Sequence, residues 1–268
     1  EELPSIRVKG KSEPVAIFAL QGTQQVRSGQ LSVPLYALPM IGRQDELETA
    51  IEKMMLALQG QGQLLGLVGE AGIGKSRLVA EILRLATVQN FALYGGECES
   101  YGLNSSYLAW QPIWRAIFGI DSGWSLARQT RTLHTQLAEI NPIFVARAPI
   151  LGAVLNLAIP DNELTQSLDP KLRKTLLEEL LLDCLRSKAR QRPLLILLEA
   201  CQWLDPLSYE LLETIVPAIV DLPVLLVCVS RLQEGETRLR SQRAHTQSHY
   251  TEIPISALTQ RESAQFID

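Results

Sequence analysis

The stretch Leu64-Leu65-Gly66-Leu67-Val68-Gly69-Glu70-Ala71-Gly72-Ile73-Gly74-Lys75-Ser76 decides the fold. Leu64, Leu65, Leu67 and Val68 form a short apolar run flanked by glycines, the signature of a buried parallel strand. From Lys75 to about Val88 a helix is expected. Between the two, Gly69 to Ser76 fits G-x-x-x-x-G-K-S, in the strand-to-helix position where that pattern carries meaning. Its glycines let backbone N–H groups turn inward around phosphate oxygens, and the helix N-terminus adds partial positive charge. Lys75 is expected to neutralise the β and γ phosphates of a nucleotide, and Ser76 to ligate Mg²⁺. The plainer alternative is a glycine-rich turn that ends a strand.

Working outward, Gln44 to Leu58 has Leu47, Ile51, Met54, Met55 and Leu58 at helical spacing. A second strand is expected at Phe91 to Tyr94, followed by a mostly helical region from Tyr107 to Ala189. The best helix there opens at Asp169-Pro170, an N-cap with proline in the first turn. Trp110 and Trp114, four apart, read as helix packing, and Trp203 as core. Two more buried strands, Pro193 to Leu198 and Pro223 to Val229, bracket a helix that begins at Asp205-Pro206. Strands alternating with helices imply a mostly parallel sheet covered on both faces, with the helical region as an insertion. Upstream, Ile6 to Val8 and Val15 to Leu20 read as a hairpin within residues 1–20. Residues 21–38 read as a linker rich in Gln, Ser, Gly and Pro, and 39–268 as the main domain.

Composition narrows the function. With 46% hydrophobic and 20% charged residues over 268 positions, the chain reads as globular. Its 25 Lys plus Arg against 29 Asp plus Glu leave no basic field to hold nucleic acid or an anionic membrane. No apolar run reaches the roughly 20 residues of a bilayer span. The four cysteines are scattered and the histidines only three, so no zinc site is expected and the thiols read as reduced, in a cytoplasmic protein. Arg238, Arg240, Arg243, His245 and His249 read as a solvated basic loop.

Nucleotide hydrolysis at such a loop needs a second strand ending in an acid near Mg²⁺, with another acid to orient water. Leu194 to Leu198 ends in Glu199, the candidate for the metal shell, and then Ala200, which cannot act as a base. Asp205 is the next carboxylate, though Asp before Pro206 also reads as a helix cap. Ser230-Arg231 closes the following strand at its C-terminal end, where ligands bind in open α/β sheets. Arg231 is therefore a candidate sensor of the γ phosphate, against the alternative of a surface arginine.

Four segments together resemble the signal-transducing P-loop ATPases of the STAND and AAA type that follow a class III adenylate or guanylate cyclase domain in bacterial multidomain proteins. Val8-Lys9-Gly10-Lys11 with Glu13-Pro14-Val15 looks like the last hairpin of a cyclase catalytic domain. Ile41-Gly42-Arg43 with Glu46-Leu47 resembles "V-G-R-E-x-E-L", which in that family lies near adenine and ribose. Val68 to Leu78 resembles "V-G-E-x-G-I-G-K-S-R-L", and Leu198 to Ser208 resembles "L-E-D-L-H-W-A-D-P-x-S". The resemblance implies a P-loop NTPase three-layer sandwich, ATP or ADP with Mg²⁺ as ligands, and Ile41, Gly42, Arg43 and Arg77 as further nucleotide contacts. It also implies a neighbouring cyclase domain and downstream repeat or lid domains as partners, the lid starting near Leu258 to Ile267. Ala200 stands where the family has Asp, and Gln202 where it has His. Losing a water-orienting carboxylate costs on the order of a hundredfold in rate, so a regulatory nucleotide switch with weak hydrolysis is expected. The alternatives are an active ATPase using Glu199 and Asp205, and the ATPase domain of a transcription regulator.

Overall fold

Gly-flanked apolar strands do build a parallel sheet. The computed structural model describes residues 2–6, 15–18, 31, 34, 40–100, 105–231 and 249–258. A hairpin of β1 (Glu2–Ile6) and β2 (Val15–Phe18) pairs antiparallel, with Ile6 opposite Val15. The first strand thus precedes the expected Ile6 to Val8, sharing only Ile6 with it, because pairing with Val15–Phe18 draws on residues before the turn. The main domain then runs α1 (Gln44–Leu58), β3 (Gln63–Gly69), α2 (Lys75–Val88), β4 (Ala92–Glu97), α3 (Trp110–Ile117) and α4 (Leu126–Ile140). A 3-10 helix (Pro142–Leu151), α5 (Gly152–Leu155), α6 (Pro170–Gln191), β5 (Leu194–Glu199), α7 (Pro206–Ala218), β6 (Val224–Ser230) and β7 (Tyr250–Ile255) complete it.

The five main strands lie in the order β4-β5-β6-β3-β7, every neighbouring pair parallel. Because strand side chains alternate, each strand feeds two cores. Leu195, Leu197, Leu225 and Val227 pack with Leu65 and Leu67 against α1 and α2. Ile196, Leu198, Leu226 and Cys228 pack on the opposite face with α6, α7 and the insertion, where Trp110 and Trp114 are fully buried. This is the expected three-layer sandwich. The insertion approaches the sheet so closely that a Cβ at Gly96 would stand 1.8 Å from the Ala109 carbonyl. Only a residue without a side chain fits there.

Strand β7 is an addition to the expected elements. Glu252 and Pro254 interrupt its apolar pattern, which hides it in the sequence, yet it sits at the end of the strand order, where proline is tolerated. His249, read as part of a solvated loop, is instead buried, its Nε2 3.1 Å from the Val216 carbonyl. The four cysteines are buried and unbridged. Leu31, inside the segment read as linker, packs against Gly95 of β4. The basic residues 238–245 and the lid expected beyond Leu258 lie outside the described residues. Among the described residues no helix is long and apolar enough to cross a membrane.

Candidate functional site

At the end of β3 the chain turns through Gly72 and Gly74, whose φ values are +74° and +100°. Nothing lies within 4 Å of a Cβ at either position, so backbone conformation and not crowding requires glycine here. Gly74 caps α2 with no side-chain bond, which leaves first-turn N–H groups for an acceptor from outside the helix. Lys75 Nζ donates to the carbonyls of Gly69 at 2.8 Å and Glu70 at 2.6 Å. Burial holds the Lys75 ammonium below the ordinary lysine range, nearby Arg231 lowers it further, and Glu70 raises it. Arg231, at the end of β6, therefore shares the loop's field. Neither cation forms an ion pair among the described residues, so an anion placed between them would meet two unneutralised charges. Ser76 is exposed on the first turn of α2. Arg77 reaches Glu81 at 2.9 Å, one turn on.

Ile41, Gly42 and Arg43 lead into α1. Gly42 and Arg43 both have positive φ, 67° and 68°, and the turn buries Arg43 to 8% exposure. Its guanidinium donates to Glu46 Oε1 at 3.0 Å, to the Ile73 carbonyl at 3.1 Å and to the Ser256 carbonyl. Arg43 thus bridges the glycine loop and the chain leaving β7. Its donors are engaged with protein acceptors, so it supports the nucleotide region through the backbone it holds.

Glu199 ends β5 half-buried. Burial raises its carboxyl above the ordinary range, and Glu97 raises it further. Glu97 ends β4 directly opposite Glu199 in register, a carboxylate pair that the single-strand reading did not find. The repeated pattern of an apolar strand closing on Glu could have revealed it. Ala200 then takes the left-handed conformation, φ 54° and ψ 40°. Gln202 Oε1 accepts from the Arg231 N–H at 3.1 Å, tying the β5 turn to the end of β6. Asp205 resolves toward its capping alternative: it is 4% exposed, and one carboxylate oxygen accepts from the N–H groups of Ser208 at 3.0 Å and Tyr107 at 3.2 Å. Both bonds fall on Oδ1, so the cap and the contact with Tyr107 engage the same carboxylate oxygen.

The structure therefore brings together Gly69 to Ser76, Lys75 with Arg231, and Arg43 behind the loop. Glu199 stands at the end of a strand two places away in the sheet. The donor set fits a nucleotide: a backbone loop open on its inner side, two cations for phosphates, and a hydroxyl and a carboxylate for Mg²⁺.

The chain is 32% identical over 196 residues to an uncharacterized protein of Rhizobium meliloti (strain 1021), covering 72% of this chain and 18% of that protein. It spans about a fifth of that relative's length. Among solved structures it is similar to Cdc6p from Pyrobaculum aerophilum, at 16% identity and a TM-score of 0.46, covering 87% of this chain and 50% of that one. A signal transduction ATPase with numerous domains and a tetratricopeptide repeat sensor from Pyrococcus horikoshii is similar at 12% identity and a TM-score of 0.38, over 89% of this chain and 26% of that one. Residues 39–227 match the AAA ATPase domain, and with its glycine loop and parallel sheet the chain belongs to that family.

Proposed function

We propose that this domain binds ATP or ADP with Mg²⁺ as a regulatory switch and hydrolyses it weakly. The observation that carries the reading is the contrast between a complete phosphate site and a β5 turn whose second position is Ala200. The N–H groups of the glycine loop would hold the β phosphate, and Lys75 the β and γ phosphates. Arg231 would meet the γ phosphate from β6, and Ser76 and Glu199 would hold the metal, directly or through water. Mg²⁺ in such a site neutralises phosphate charge and orients the oxygens. Ala200 has no atom that can take a proton from water, and the Asp205 carboxylate is engaged by two N–H groups. Occupancy would then report on nucleotide level without rapid turnover.

One observation favours faster hydrolysis. Glu199, raised by burial and by Glu97, is a stronger base than an ordinary carboxylate. A neighbouring cyclase catalytic domain is the proposed partner, supported by the resemblance of the hairpin region to the end of such a domain. Repeat or lid domains downstream are proposed on the same resemblance, in a cytoplasmic setting. Calorimetric titration of ATP, ADP and GTP with Mg²⁺ into the wild type and Lys75→Ala, with phosphate release followed in the same samples, tests the reading. Adenine-nucleotide binding that needs Lys75, without steady turnover, is the expected result. Steady turnover that Lys75→Ala abolishes would overturn the weak-hydrolysis part, and failure to bind would overturn the whole.

A further inference from the structure

The helical insertion carries a polar cavity, lined by none of the residues of the phosphate site. It has a volume of about 450 Å³ and opens between α3, the start of α4 and the turn after α5. That size lies within the roughly 300–1,000 Å³ of small-molecule sites. Arg115, from α3, lines it while only 8% exposed. A buried guanidinium normally has a carboxylate partner, because an uncompensated charge in a low-dielectric interior is costly. Here its acceptors are neutral: the Leu155 carbonyl at 2.7 Å and the Gln129 amide oxygen. Its Nε–H is buried with no hydrogen-bond partner among the described residues. None of the residues lining the cavity is acidic.

The other lining residues are polar and apolar. Gln111 and Ser122 offer donors, whereas Leu126 and Leu157 offer apolar surface. Burial disfavours the Arg115 charge and Asp121 partly offsets this, but no carboxylate forms an ion pair with it among the described residues; such a cation, in a cavity that also holds polar and apolar side chains, is complementary to an anion with an apolar body. We propose that this cavity is a second ligand site, for a small organic carboxylate, with Arg115 as its counter-cation. The carboxylate would supply the direct ion pair that Arg115 lacks among the described residues, and the apolar body would cover Leu126 and Leu157. The insertion packs on the same sheet whose strand β5 ends in Glu199.

The probe is 4-fluorobenzoate, followed by fluorine NMR line broadening on addition of the intact chain. Displacement by unlabelled benzoate and by inorganic phosphate is measured in parallel. The expected result is broadening at a Kd of ~1 mM or below, reversed by benzoate and not by equal phosphate. Arg115→Met should weaken binding by about a hundredfold through loss of the charged pair. Ala158→Trp, at an exposed lining residue, fills the cavity and leaves the Arg115 bonds intact; it should abolish broadening while ATP affinity stays at the wild-type value. Absence of broadening with the wild type overturns the proposal. So does undiminished broadening with Ala158→Trp, which would place the probe elsewhere, and so does equal displacement by phosphate, which would remove the carboxylate class.

Discussion

Two strand ends of one sheet make left-handed turns with different residues. After β3 the turn falls on Gly72 and Gly74, where positive φ costs nothing. After β5 it falls on Ala200, where the same kind of backbone is disfavoured by roughly 1–2 kcal/mol relative to a right-handed conformation. The first turn carries the glycines, Lys75 and Ser76 of the proposed phosphate site; the second has a left-handed backbone with alanine at that position. Asp and Asn tolerate left-handed backbone better than alanine, so the β5 turn has the shape suited to an acid. On the proposed reading, binding and hydrolysis rest on separate turns and can be lost separately.

That separation can be broken at either end. The largest expected effect is from Lys75→Ala, which removes a charged donor from the first turn. ATP affinity should fall by about a hundredfold or more in calorimetry, with fold retained by circular dichroism. At the second turn, Ala200→Asp should raise phosphate release by on the order of a hundredfold without weakening ATP binding. If release stays flat, the missing side chain is not what limits the domain. Arg43→Ala leaves the Ile73 and Ser256 carbonyls without their donor, and urea denaturation should show a loss of roughly 2 kcal/mol.

Smaller changes sharpen the comparison. Ala200→Gly should stabilise the fold by up to about 1 kcal/mol, because glycine accepts the turn that alanine strains. The same substitution at an ordinary helical alanine would destabilise. The finest test is of pH. If Glu199 acts as the base in the residual hydrolysis, the rate should rise as it deprotonates, with its midpoint above the ordinary carboxylate range because burial and then Glu97 disfavour the charged form. Glu97→Gln removes the like charge and should move that midpoint to lower pH.

Much of this architecture was legible from residue order alone. The α1 limits at Gln44–Leu58 and the α2 start at Lys75 follow from apolar spacing and a glycine-rich turn, and Asp169-Pro170 and Asp205-Pro206 mark their helices because capping is local chemistry. Strand β7 was hidden since its Pro254 contradicts a central strand, and only its place beside β3 at the end of the strand order explains it. At the site, the glycine loop and the absence of an acid at 200 could be read directly. The Glu97–Glu199 pairing left a faint trace, two apolar strands that each close on Glu, but the Arg43 bridge and the engagement of Asp205 with Tyr107 could not be read, because each joins segments that only the fold brings together.

The bridge made by Arg43 has a thermodynamic corollary. One guanidinium holds the carbonyl of Ile73 in the phosphate loop and that of Ser256, 213 positions further along the chain than Arg43 itself. If filling the loop alters the Ile73 carbonyl, the free energy of the Ser256 contact changes with it, and by linkage the reverse change is equal in size. A load applied to the backbone after β7 is then felt as a shift in nucleotide affinity. Through a single side chain, the segment after β7 and the phosphate loop answer to one equilibrium.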